Sequence, residues 1–141
     1  MCKEYGIQSI ITSSSCLTGT DRVAEAASKF SNKIIINLQG DEPYLNYLDI
    51  KKFISFTVKN KKLVTNAYTK LFNKKLFKNK NIPKVILKKN NDLLYMSRSS
   101  IPGSKKENIL YVNKQICMYG FPKKLLLNLY GKIKKNSIRK Y

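Results

Sequence analysis

Lys33-Ile34-Ile35-Ile36-Asn37-Leu38-Gln39-Gly40-Asp41-Glu42-Pro43 is the stretch on which the reading of this chain turns. Its apolar half suits a strand buried on both faces, the pattern of a parallel sheet. Its polar half lies where ligands gather in open α/β sheets, just past the carboxyl end of a strand. Gly40 allows a close backbone approach, Asp41 offers a hard oxygen to a cation, and Pro43 stops the strand. Just upstream, Thr18-Gly19-Thr20-Asp21-Arg22 opens a helix whose Val23, Ala26, Ala27 and Phe30 recur on one face. Thr20 is the expected N-cap, with Asp21 in the first turn. The two segments read as walls of a nucleotide-and-metal pocket.

Outward from there, Gln8 to Thr12 reads as a short strand. Asn46 is placed to cap a second helix carrying Ile50, Phe53 and Ile54 and ending at Lys59-Asn60. Leu63 to Tyr68 is the next expected strand, and Lys70 to Asn81 a loop or ragged helix. Pro83–Leu87 and Leu93–Met96 flank Asn90-Asn91-Asp92, which predicts a hairpin. Asn113 to Tyr119 reads as a strand, and Leu125, Leu126 and Leu129 as the face of a final helix behind Phe121-Pro122.

The 141 residues suffice for one domain with a real core, and 43% hydrophobic with 11% aromatic residues argues against wholesale disorder. No apolar stretch approaches the ~20 residues of a membrane span. No secretory signal is visible at the N-terminus, so a cytoplasmic location is expected. The three cysteines (Cys2, Cys16, Cys117) form no C-x-x-C pair, and the absence of histidine closes the zinc options and any Ser-His-Asp triad. The net charge of +20 favours anionic ligands. Nucleic acid is a weaker expectation: Arg22, Arg98 and Arg139 are the arginines, and the lysines are scattered rather than interleaved with aromatic platforms.

Four blocks of this sequence carry a resemblance to a known family. They are Thr18-Gly19-Thr20-Asp21-Arg22-Val23-Ala24-Glu25 and Ile36-Asn37-Leu38-Gln39-Gly40-Asp41-Glu42-Pro43. Next comes Pro83-Lys84-Val85-Ile86 with Leu94-Tyr95-Met96-Ser97-Arg98-Ser99-Ser100-Ile101-Pro102. The last is Lys114-Gln115-Ile116-Cys117-Met118-Tyr119-Gly120-Phe121. In order and approximate spacing the chain resembles the sugar-acid cytidylyltransferases, most closely the 3-deoxy-manno-octulosonate (Kdo) cytidylyltransferases.

The resemblance implies a three-layer, Rossmann-like α/β nucleotidyltransferase fold with a mainly parallel, mixed sheet, incomplete here. Residues 1–141 would form one partial domain, with a hairpin extension over 83–120 serving dimerisation and sugar binding. It implies transfer of CMP from CTP to a 2-keto sugar acid, with release of pyrophosphate, for lipopolysaccharide or capsule synthesis. Asp41 would act in catalysis as the Mg²⁺ ligand. Thr18, Gly19, Thr20, Asp21, Arg22 and Gln39 would bind the nucleotide, although capping chemistry alone also explains Gly19 and Thr20, and Arg22 could instead pair with Asp21 or Glu25. Arg98, Gln115 and Tyr119 would bind the sugar acid, with Gln115 standing where these enzymes usually carry histidine. A homodimer is implied.

The rival readings are a catalytically dead fragment serving as an interaction module and a basic nucleic-acid-binding protein. The family's proline-alanine-arginine loop and its later valine-aspartate-threonine metal aspartate have no counterpart in the sequence. The resemblance therefore places the chain as the middle of such an enzyme. It predicts little or no transferase activity from the 141-residue chain alone, to be checked by product formation with CTP, Mg²⁺ and Kdo; efficient synthesis would refute it.

Overall fold

The isoleucine run is a strand, β1 (Ile34–Leu38), and it leads directly into a turn at Gly40-Asp41. The computed structural model describes residues 2–103 and 109–136. Ile34 to Asn37 are half-buried and Leu38 is exposed, in place of the enclosure expected on both faces. β-branched residues fit a pleated, half-covered surface as well as an enclosed one.

The remaining elements, in chain order, are α1 (Gly19–Ser28, before β1), α2 (Tyr47–Lys59), β2 (Thr65–Leu71), α3 (Lys74–Phe77), β3 (Lys84–Leu87), β4 (Leu93–Ser97), β5 (Val112–Pro122) and α4 (Lys123–Asn136). A 3₁₀ turn spans Cys2–Tyr5. The sheet has five strands in the order β1-β5-β3-β4, with β2 also paired to β5. Both ladders with a described register, β3–β4 and β3–β5, are antiparallel, where a mainly parallel sheet was expected. The reason is local. A tight hairpin joins β3 to β4, and parallel pairing would need a crossover of a dozen residues or more.

The expected strand at Gln8–Thr12 does not form. Its apolar residues find no ladder, and Ile11 stays 95% exposed. Short apolar runs signal burial only where a neighbouring strand exists to pair with.

By contacts the chain divides into two units, Met1–Asn37 with Ile54–Thr65 and Gly120–Tyr141, and Leu38–Phe53 with Asn66–Tyr119. In the first, α1 packs on α4 through small residues: Ala24 and Ala27 are buried, as is Leu126. Thr18, not Thr20, is the N-cap, in a reciprocal capping box with Asp21. Position N3 is where a carboxylate can return the bond, and Asp21 stands three residues after Thr18 but only one after Thr20. Lys123 closes the unit by donating its backbone N–H to Lys33 O at 2.9 Å and its ammonium to Phe30 O.

The second unit buries Phe53, Phe77, Val85, Val112 and Met118. Its hairpin turns at Asn91, whose φ of 65° lies in the left-handed region that asparagine tolerates. Lys88 N–H reaches Asp92 O at 2.8 Å across the turn, and the register slips between Ile86 and Leu87. β4 lies at the end of the strand order with Leu93, Leu94, Tyr95 and Met96 all exposed.

At Gly120 the close approach of neighbouring side chains leaves no room for a Cβ. A Cβ there would drive into Thr57 Cγ2 and Thr65 Oγ1, whose hydroxyls share a buried hydrogen bond at 2.8 Å. Replacement by alanine is expected to cost about 1–3 kcal/mol, the range for forced overpacking. A Cβ on Gly40 would meet no atom of the described structure within 4 Å, so Gly40→Ala should leave the denaturation midpoint nearly unchanged. Urea unfolding of both variants checks the contrast.

Candidate functional site

The helix-entry loop and the strand-end turn are each built by backbone chemistry. At the loop, Asp21 Oδ2 accepts from Thr18 N at 2.8 Å and from Thr18 Oγ1 at 2.9 Å, while Thr18 Oγ1 accepts from Asp21 N at 3.2 Å. Asp21 is 3% exposed, so its carboxylate is committed to the cap. Such a cap contributes about 1 kcal/mol of helix stability. Arg22 NH1 donates to Thr12 Oγ1 at 2.9 Å and to Ser13 O at 3.2 Å, rather than to Asp21 or Glu25. Glu25 grips the same loop from one turn further on, accepting from Ser13 N at 3.0 Å and from the Cys16 thiol at 3.1 Å. That contact, with burial adding, holds the Cys16 thiol above its ordinary pKa. Thr18, Gly19, Thr20 and Arg22 are exposed. This group belongs to the first unit.

Gln39, Asp41, Arg98, Gln115 and Tyr119 belong to the second. The Gln39 backbone N–H donates to Cys117 O at 3.1 Å, and Glu42 N–H closes the turn onto Gln39 O at 3.3 Å. These two bonds set the Asp41 turn beside β5. Gln115, Cys117 and Tyr119 alternate along β5 and so share one face. Gln115, only 6% exposed, donates from Nε2 to Tyr119 Oη at 2.7 Å. Asp41 is exposed and lies close enough to Cys117 for its charge to act on the thiol. Burial, then the Asp41 and Glu42 charges, push the Cys117 thiol up, against a smaller opposing effect of Lys114. Burial, then Cys117 and Asp41, likewise raise the Tyr119 phenol. Lys114 pairs with Glu42 at 3.3 Å, both groups partly shielded from solvent.

The structure thus brings Asp41, Gln115 and Tyr119 into one polar cluster. Arg98 stands differently: its NH1 donates to Asn81 O at 3.1 Å, and none of its hydrogen bonds reaches the Asp41 cluster. Sequence reasoning overlooked Cys117, Glu42 and Lys114. The alternation along β5 pointed to Cys117, since a residue between two site candidates at i−2 and i+2 shares their face. Among the described residues no group of three or more metal-ligating side chains occurs.

A family model described as cytidylyltransferase matches residues 1–141. The chain belongs to the cytidylyltransferase family. It is 40% identical over 102 residues to the 3-deoxy-manno-octulosonate cytidylyltransferase of Elusimicrobium minutum (strain Pei191), covering 72% of this chain and 42% of that protein. It is 37% identical over 131 residues to the protein of the same name from Fusobacterium nucleatum subsp. nucleatum, covering 92% and 53%. Among solved structures, it superposes on a CMP:2-keto-3-deoxy-manno-octonic acid synthetase complexed with CTP, with a TM-score of 0.81 at 26% identity. That match covers 90% of this chain and 53% of the other. The chain spans about half the length of the curated relatives it matches. The family explains the α/β architecture of this cytidylyltransferase chain.

The influence of Asp41 on Cys117 has a chemical readout. Half-buried beside carboxylates, Cys117 holds less thiolate at pH 8 than a peptide thiol and should alkylate more slowly with iodoacetamide. Asp41→Asn removes a charge that raises the thiol pKa, so the thiolate fraction and the rate at Cys117 should rise. Mass spectrometry of the modified peptide follows it; an unchanged rate would separate the two side chains.

Proposed function

We propose that this cytidylyltransferase chain contributes substrate-binding walls to an enzyme that transfers CMP from CTP to a 2-keto sugar acid of the Kdo type, releasing pyrophosphate. The reading rests chiefly on one observation: Asp41, on the turn after β1, faces the Gln115–Cys117–Tyr119 side of β5. Family membership and the likeness to a synthetase solved with CTP support it. The product would feed lipopolysaccharide or capsule assembly, and the setting would be the cytoplasm. Among the described residues no helix is long and apolar enough to cross a membrane.

In this reading the anomeric hydroxyl of the sugar attacks the α-phosphorus in line, and the chain's part is positioning and charge neutralisation. Asp41 would hold Mg²⁺. The donor set fits: one exposed carboxylate is enough where phosphate oxygens and water complete the shell. The ion would neutralise phosphate charge when bound. Gln39 and the Thr18-Gly19-Thr20-Asp21-Arg22 loop would lie along the nucleotide. Thr18 and Asp21 would act by shaping that loop, their side chains being engaged with each other, whereas Gly19, Thr20 and Arg22 face solvent. The open space over Gly40 would let phosphate approach the backbone. Gln115 and Tyr119 would bind sugar hydroxyls, and Arg98 the carboxylate through its bidentate fork. The 83–120 segment would form the sugar-binding extension and a homodimer interface.

Titration calorimetry with CTP, with and without Mg²⁺, tests the proposal. A metal-dependent heat that Asp41→Asn removes, with folding retained, is expected. CTP binding indifferent to both metal and Asp41 would overturn the assignment.

A further inference from the structure

Lys84 is 0% exposed, yet it is a lysine in the middle of the second unit's sheet. Its Nζ donates to Asn79 O at 2.6 Å and to Arg98 O at 3.0 Å. Arg98 in turn donates from NH1 to Asn81 O. The turn that receives these bonds is itself closed, with Ile82 N–H on Asn79 O at 3.2 Å and Asn81 N–H on Asn79 Oδ1 at 2.8 Å. Arg98 is therefore fixed at both ends to one turn: its carbonyl through Lys84, its guanidinium directly.

Among the described residues no carboxylate hydrogen-bonds or ion-pairs with either cation. Two carbonyls satisfy donors of the ammonium but leave its charge uncompensated, and a buried uncompensated charge is costly. Burial and the nearby Arg98 both lower the Lys84 pKa. An apolar side chain of similar length would fill the same space without that cost. What it would not do is hold the Arg98 carbonyl or add positive potential behind the guanidinium.

We infer that Lys84 is a positioning residue for anion recognition: it clamps the Arg98 main chain to the Asn79–Ile82 turn, so that the exposed guanidinium is presented, already oriented, to the carboxylate of an acidic sugar. Lys84 does not touch that ligand. An arriving carboxylate supplies the negative charge that the two cations lack, and a rigid fork loses less entropy on binding than a mobile one. The inference rests on the reading of Arg98 given above, and the experiment separates the two.

In the full ¹⁵N-labelled chain, the heteronuclear NOE of the Arg98 Nε–H reports its order. The probes are Kdo and its neutral primary amide, titrated separately. The unsubstituted chain should show an ordered Arg98 and bind the acid about tenfold more tightly than the amide, as a charge-assisted contact implies. Lys84→Met should leave the backbone spectrum folded, mobilise Arg98 and bring the two affinities close to parity. A purely structural lysine would weaken both ligands together. Should the methionine variant not fold, Lys84→Gln, whose amide nitrogen ends one bond short of the ammonium that spans both carbonyls, should still mobilise Arg98 and lose the preference for the acid. An Arg98 that is mobile in the unsubstituted chain, or an acid preference unchanged in the folded variant, overturns the inference. Binding of neither probe would fell the carboxylate role of Arg98, while the NOE would still decide whether Lys84 holds it.

Discussion

One backbone hydrogen bond, from Gln39 N–H to Cys117 C=O, organises the second unit's polar cluster. It is an edge contact between the end of one strand and the middle of another. It sets a sequence-local turn beside β5: the residue two positions on is Asp41, and Gln115, Cys117 and Tyr119 alternate along that strand. β5 can serve several partners because it is long, 11 residues, and neighbouring carbonyls of a strand point to opposite edges. Cys117 O is taken by Gln39, while Ile116 O and Met118 O both accept from Asn66 Nδ2 at 2.9 Å. The strand is thus held on both edges at the point where its side chains face Asp41.

The helix-entry loop follows a different logic. Its chemistry is partly self-directed: Thr18 and Asp21 satisfy each other and the first turn of α1, and Arg22 and Glu25 hold the preceding loop from below. What the loop leaves outward is Gly19 and Thr20, both exposed at the start of α1.

Much of this was legible in the sequence because it was local. α1, α2, the hairpin with its Asn-Asn-Asp turn and α4 follow from caps, turn residues and 3.6-residue periodicity, all of which act within a few positions. The strand β1 and the turn after it were likewise readable from an apolar run ending in Gly-Asp-Glu-Pro. What could not be read was pairing. Gln8–Thr12 has the composition of a strand and no partner, while β3 pairs antiparallel with two neighbours, which no propensity of its four residues encodes. The N-cap fell two residues from its expected place because only the reciprocal bond from Asp21 distinguishes one threonine from the other. Within the cluster, the pair Gln115–Tyr119 was accessible as an i, i+4 strand spacing on one face, but the thiol between them looked inert until Asp41 stood beside it.

The charge of the chain also resolves into two populations once burial is known. Of 28 basic residues, most are lysines on solvated surface, where a charge costs little and contributes little. Lys84 is the fully buried cation among the described residues, enclosed in the sheet and tied to carbonyls. The division of labour with Arg98 follows from the two side chains. A compact ammonium on a flexible stem can reach two carbonyls from inside a packed strand. A planar guanidinium suits the exposed end, where one nitrogen can anchor to backbone and the rest of the fork can meet a carboxylate. Exchanging the two would leave each in the wrong place, with the fork too broad for the interior and the ammonium unable to offer two parallel donors. Position in the fold, rather than net charge, gives these two cations their meaning.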